Sequence, residues 1–139
     1  MINRISHIGI VVQDMDAAVK TWSTVFGFKK YSEQEIAVEG IRSVFLSVGG
    51  TADEMTIELM EPLDKSDLSN AIARRLVKSG EGFYHLAVEV ADVQASGRAL
   101  EQHGLTVLRR PATSDRHTPR CLVHPKSANG VMVEGLAGR

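Results

Sequence analysis

Two histidine–glutamate pairs carry the possible chemistry of this chain. His7 stands early in one β-branched run and His85 early in another, 78 residues apart. Each has a glutamate in a later apolar run: Glu58 comes 51 residues after His7, and Glu134 comes 49 after His85. Imidazole nitrogen and carboxylate oxygen together suit Zn, Fe, Co, Ni or Mn, with positions left open for water or substrate oxygens. Taken singly, each residue has an ordinary explanation. A strand histidine is usually hydrogen-bonded or half-exposed, and a strand glutamate usually faces solvent. Their recurrence at nearly equal spacing is what gives a metal site weight beside those explanations.

The elements that must position these groups also come twice. Residues 4–12 read as a strand, and Asp14 or Asp16 can cap the helix that follows. In that helix Ala17, Val19, Trp22 and Phe26 form an apolar stripe, which places Trp22 and Phe26 in the core, and Gly27 supplies the stop. Strands are expected over 28–36, 41–48 and 55–60, with Pro62 closing the half. A helix over 66–78 follows, with Leu68, Ile72, Leu76 and Val77 on its apolar side. The order then repeats: a strand over 83–90, a cap at Asp92, a helix stopping at Gly104, and strands over 105–109, 120–124 and 131–136. His7 to Asp14 aligns without a gap on His85 to Asp92. The organisation is therefore two strand–helix–three-strand repeats, about 1–64 and about 82–139, joined by the 66–78 helix within a single domain spanning 1–139. Alternation on the last strand sets Met132 and Glu134 on one face and Val131 and Val133 on the other.

Composition narrows the function classes. The chain has 139 residues, 43% of them hydrophobic and 24% charged, enough to bury a core without disulfides. Sixteen Lys and Arg against 17 Asp and Glu leave a net charge of −1, so neither a nucleic acid nor an anionic membrane is the expected partner. One cysteine, Cys121, excludes an intramolecular disulfide and a CxxC motif, and reads as a small buried residue on a strand. No apolar run approaches membrane-spanning length and no secretory leader pattern is present, so a cytoplasmic protein is expected. Arg74, Arg75 and Lys78, and the Arg109-Arg110 pair, could meet a phosphate but read first as solvated faces.

Several segments resemble one family: His7-Ile8-Gly9-Ile10, Glu58-Leu59-Met60-Glu61-Pro62-Leu63, Gly80 to Ala87, His124-Pro125-Lys126-Ser127 and Gly130-Val131-Met132-Val133-Glu134. The chain is similar over nearly its whole length to the vicinal-oxygen-chelate superfamily, and most similar to its methylmalonyl-CoA epimerase branch. The resemblance implies an α+β fold in which two βαβββ modules form a cupped, mostly antiparallel sheet around a metal site, often as a homodimer. It implies His7, Glu58, His85 and Glu134 as ligands of a divalent ion (Co, Zn, Ni, Mn or Fe). It implies a small-molecule substrate, an acyl-CoA, epimerised by α-proton removal through an enolate, with Glu134 as ligand and base.

This sequence departs from that pattern in places. The second base of the branch falls at Ser43, and an unactivated serine is a poor base toward carbon. The glycine-containing loop before His124 is replaced by residues 112–119, where Arg116 and His117 could add a cationic group for substrate, as could Lys126. Tyr84 takes the place of a second histidine and is expected to face away from His85. These departures keep open a glyoxalase-like lyase or isomerase acting on a different oxygenated substrate, and a ligand-binding protein without turnover.

Overall fold

The computed structural model describes residues 1–114 and 118–138. Its elements follow the doubled order expected from the sequence. The first set is β1 (Ile2–Val11), α1 (Met15–Val19), β2 (Lys29–Ile36), β3 (Ile41–Ser47) and β4 (Thr56–Pro62). After α2 (Ala71–Ser79) comes the second: β5 (Gly82–Val90), α3 (Val93–Gln102), β6 (Val107–Arg110), β7 (Arg120–Val123) and β8 (Met132–Ala137). The α+β class and the βαβββ repeats are therefore both present. The chain divides into two compact units, Ile8–Phe83 and the combination of Met1–His7 with Tyr84–Arg139, so that β1 contributes to each.

In the Ile8–Phe83 unit the strands lie in the order β2-β3-β4 with the end of β1 beside β4. Val12, Met15, Val44, Leu46, Ile57 and Leu59 form its buried core. Asp14 caps α1, its side chain accepting from the Ala17 N–H at 3.1 Å. The helix then widens into a π turn over Lys20–Val25, in which the Phe26 N–H reaches the Thr21 carbonyl at 3.0 Å. That wider turn corrects the expected stripe. Phe26 is rotated off it and lies 60% exposed, while Phe28 packs against the core with the half-buried Trp22.

The expected 66–78 helix is shorter at its start. Asp64 and Asp67 side chains accept from the backbone N–H groups of Ser66 at 2.9 Å and Ser69 at 3.0 Å. These turns compete with helical hydrogen bonding until Asn70 caps α2 by accepting from Ile72 and Ala73. Ile72 and Ala73 are buried, but Leu68 and Val77, expected on the apolar side, are exposed.

In the other unit the strand order is β1-β5-β8-β7-β6. β5 and β8 run parallel, whereas β8 with β7 and β7 with β6 are antiparallel. Asp92 caps α3 through the Ala95 N–H at 2.9 Å, and Gly104 follows the helix at a φ of 88°, a conformation that favours glycine. Val88, Val90, Val93 and Cys121 make the core of this unit, so the cysteine is buried as expected.

Candidate metal centre

Three neighbouring strands of the second unit bring His7, His85 and Glu134 together. The order β1-β5-β8 places one on each strand, and the parallel β5–β8 register sets Glu134 opposite Ala87, two residues beyond His85. All three are buried, at 8%, 5% and 2% exposure. His7 Nε2 and His85 Nε2 are 3.1 Å apart, and Glu134 Oε1 is 3.9 Å from His7 Nε2. One ligand atom from each lies within 4.8 Å of the other two. Ser6 Oγ sits 3.1 Å from His7 Nδ1; in the tautomer in which Nδ1 donates to that oxygen, the Nε2 lone pair is left facing His85.

The donors fit a cation. Two ring nitrogens at this separation can share one proton at most, and two bare lone pairs facing each other repel. Glu134 Oε1 is buried yet accepts no hydrogen bond among the described residues, an arrangement that costs free energy unless a positive charge meets it. A divalent ion taking both Nε2 atoms and Oε1 would satisfy all three, so these residues could hold a metal.

The other oxygen of Glu134 is engaged. Arg120, on β7, donates from Nη1 to Glu134 Oε2 at 2.8 Å, with its own side chain 11% exposed. Sequence reasoning gave Arg120 no role beyond opening a strand. Its signal was the alternation of β7: Leu122 pairs with Glu134, and Arg120, two residues earlier, points to the same face.

Glu58 and Ser43 belong to the Ile8–Phe83 unit, where they meet each other. Both are almost wholly buried, and Ser43 Oγ donates to Glu58 Oε2 at 2.9 Å. At the position where a second base was considered, the structure thus has a hydroxyl committed to a carboxylate.

Arg116 and His117 lie outside the described residues. Lys126 is exposed in a short 3-10 turn, and its backbone N–H bonds His124 Nδ1 at 3.0 Å. Tyr84, expected to face away, instead approaches His85 edge-on, with ring centroids 5.7 Å apart. The basic pairs hold their own fold: Arg74 donates to the Leu68 and Ser69 carbonyls, Arg75 to Phe83, and Arg109 pairs with Glu101.

With this geometry in view, likeness to known proteins can be placed. Residues 6–121 match the family model of the Glyoxalase/Bleomycin resistance protein/Dioxygenase superfamily. An ethylmalonyl-CoA/methylmalonyl-CoA epimerase of Cereibacter sphaeroides is 31% identical over 137 residues, covering 96% of this chain and 97% of the relative. The crystal structure of methylmalonyl-CoA epimerase from Mycobacterium tuberculosis superposes with a TM-score of 0.83 at 33% identity, covering 99% of this chain and 89% of that one. A methylmalonyl-CoA epimerase solved in complex with methylmalonyl-CoA and NH4+ gives 0.85 at 30% identity, covering 99% and 96%. By sequence and fold together, the chain belongs to the glyoxalase/bleomycin resistance/dioxygenase superfamily.

Proposed function

We propose that this chain is a metal-dependent epimerase of methylmalonyl-CoA or a similar 2-substituted acyl-CoA. The observation that carries the reading is the buried His7–His85–Glu134 set, in which Glu134 Oε1 is buried without a hydrogen-bond donor among the described residues. Likeness to named epimerases, one solved with methylmalonyl-CoA, supports the substrate class. On the family resemblance alone, Glu58 is added as a fourth ligand.

A bound divalent ion would supply Lewis-acid stabilisation of the negative charge that develops on the substrate's carbonyl oxygens when its α-proton leaves. His7 and His85 would hold that ion through Nε2, with the rings fixed by burial and, for His7, by Ser6. Glu134 is assigned proton removal as well as ligation. Epimerisation then needs a proton delivered to the opposite face, which calls for a second acid–base group. On the family resemblance alone that group falls at Ser43, whose hydroxyl donates to Glu58. In this reading residues 1–139 act as one catalytic domain, paired as a cytoplasmic homodimer and using cobalt among the possible ions.

The test is α-proton exchange. Cobalt-loaded protein incubated with methylmalonyl-CoA in deuterated water should exchange the α-proton, while the metal-free control should not. Absence of exchange with cobalt shown to be bound would overturn the acyl-CoA reading. One observation favours a second reading, a glyoxalase-like lyase or isomerase on another oxygenated substrate: Ser43 is tied to Glu58. Exchange without inversion would leave the chain with a single working base.

A further inference from the structure

The residues that hold Glu58 and Glu134 occupy equivalent places in the two repeats. On β3 Ser43 pairs with Met60, two residues beyond Glu58; on β7 Arg120 pairs with Leu136, two residues beyond Glu134. Each reaches diagonally across its antiparallel pair to the Oε2 atom of the glutamate. The donor thus differs between repeats, a neutral hydroxyl in one and a guanidinium in the other, while in each case one carboxylate oxygen is held.

We propose that Arg120 is a positioning residue that makes Glu134 a one-oxygen metal ligand. This rests on the metal-centre reading above. The guanidinium is always charged, and its bond to a carboxylate is among the stronger hydrogen bonds. With Oε2 held at 2.8 Å, the carboxylate cannot turn both oxygens toward the histidines, and Oε1 is the atom presented at 3.9 Å from His7 Nε2. A carboxylate free of that restraint can bind an ion through two oxygens, as Asp and Glu often do. Holding one oxygen back keeps a coordination position open for the substrate. Arg120 is enclosed with its partner and therefore serves the carboxylate more directly than it could serve bulk solvent or a distant ligand.

The experiment compares the cobalt absorption spectra of the wild-type chain, Arg120→Leu and Arg120→Gln, with cobalt uptake measured by titration. Glutamine keeps an N–H donor without the charge; leucine removes both. The wild-type chain should take up cobalt, Arg120→Gln should keep its visible spectrum, and Arg120→Leu should lose visible intensity as a second Glu134 oxygen raises the coordination number. Arg120→Val replaces the leucine variant should that one not fold. Identical spectra in all variants would overturn the proposal, as would a glutamine spectrum that follows the leucine one, since charge and not position would then be responsible. No cobalt uptake by the wild-type chain would overturn the metal reading itself, and the positioning role with it.

Discussion

His7 Nε2 and His85 Nε2 face each other across 3.1 Å in a buried setting, 78 positions apart in the chain. Two imidazoles brought this close are unfavourable unless a proton or cation lies between them. Replacing one should therefore affect binding more than folding. His85→Ala should weaken metal uptake by more than the roughly 10–100-fold that loss of an outer hydrogen-bond partner costs. Titration of the purified variant with cobalt checks this, and uptake equal to wild type would remove His85 from the site.

Ser43 offers a separate stability test. Its hydroxyl gives Glu58 Oε2 a donor where both side chains are almost wholly buried. Ser43→Ala should destabilise the metal-free protein by about 1–3 kcal/mol, the usual range when a buried polar atom loses its partner. Urea unfolding monitored by circular dichroism reads that change. An unaltered midpoint would mean that the hydroxyl contributes little to holding Glu58.

What the sequence made legible follows from how local each cause is. His7, Glu58, His85 and Glu134 could be singled out because residue type and repeat spacing are properties of the string itself. Asp14 and Asp92 were found as caps because a short acidic side chain acts on a backbone amide only three residues on. Phe26 was misplaced because one wider turn at Lys20–Val25 changes which residues share a face. The start of α2 was set too early because Asp64 and Asp67 closed turns that an apolar stripe does not reveal. Arg120 was passed over because its contact with Glu134 depends on the register of β7 against β8, which no single segment specifies. The Ser43–Glu58 bond was hidden for the same reason: both residues were singled out, but not as partners.

Cys121 gives a pH-dependent prediction. Burial raises its thiol pKa above the ordinary value, with the Gly135 backbone partly opposing the shift. The unfolded thiol therefore ionises first, at about pH 8.5. The sign follows: this group's contribution is fully present below that value and is lost as pH rises toward the folded-state pKa. A thiol reagent at pH 8 should modify the native chain slowly and the urea-unfolded chain fast. Cys121→Val should reduce the alkaline loss of stability. Rapid labelling of native protein would show that Cys121 is reached without unfolding.

The Arg120–Glu134 pair makes an energetic demand on the metal-free chain. Both side chains are nearly enclosed, and Arg120 brings a positive charge into hydrogen-bond contact with Glu134. Removing one partner of such a pair leaves an uncompensated buried charge, so Arg120→Leu alone should cost about 3–5 kcal/mol in the absence of metal. Adding Glu134→Gln removes the stranded charge, and the double variant should recover much of that loss. The two changes must therefore be strongly non-additive, which a double-mutant cycle by urea unfolding measures directly. Repeating the cycle with bound cobalt should shrink the penalty of Arg120→Leu, because the ion supplies the positive charge that the arginine no longer provides. A penalty unchanged by cobalt would mean that Glu134 does not meet the ion.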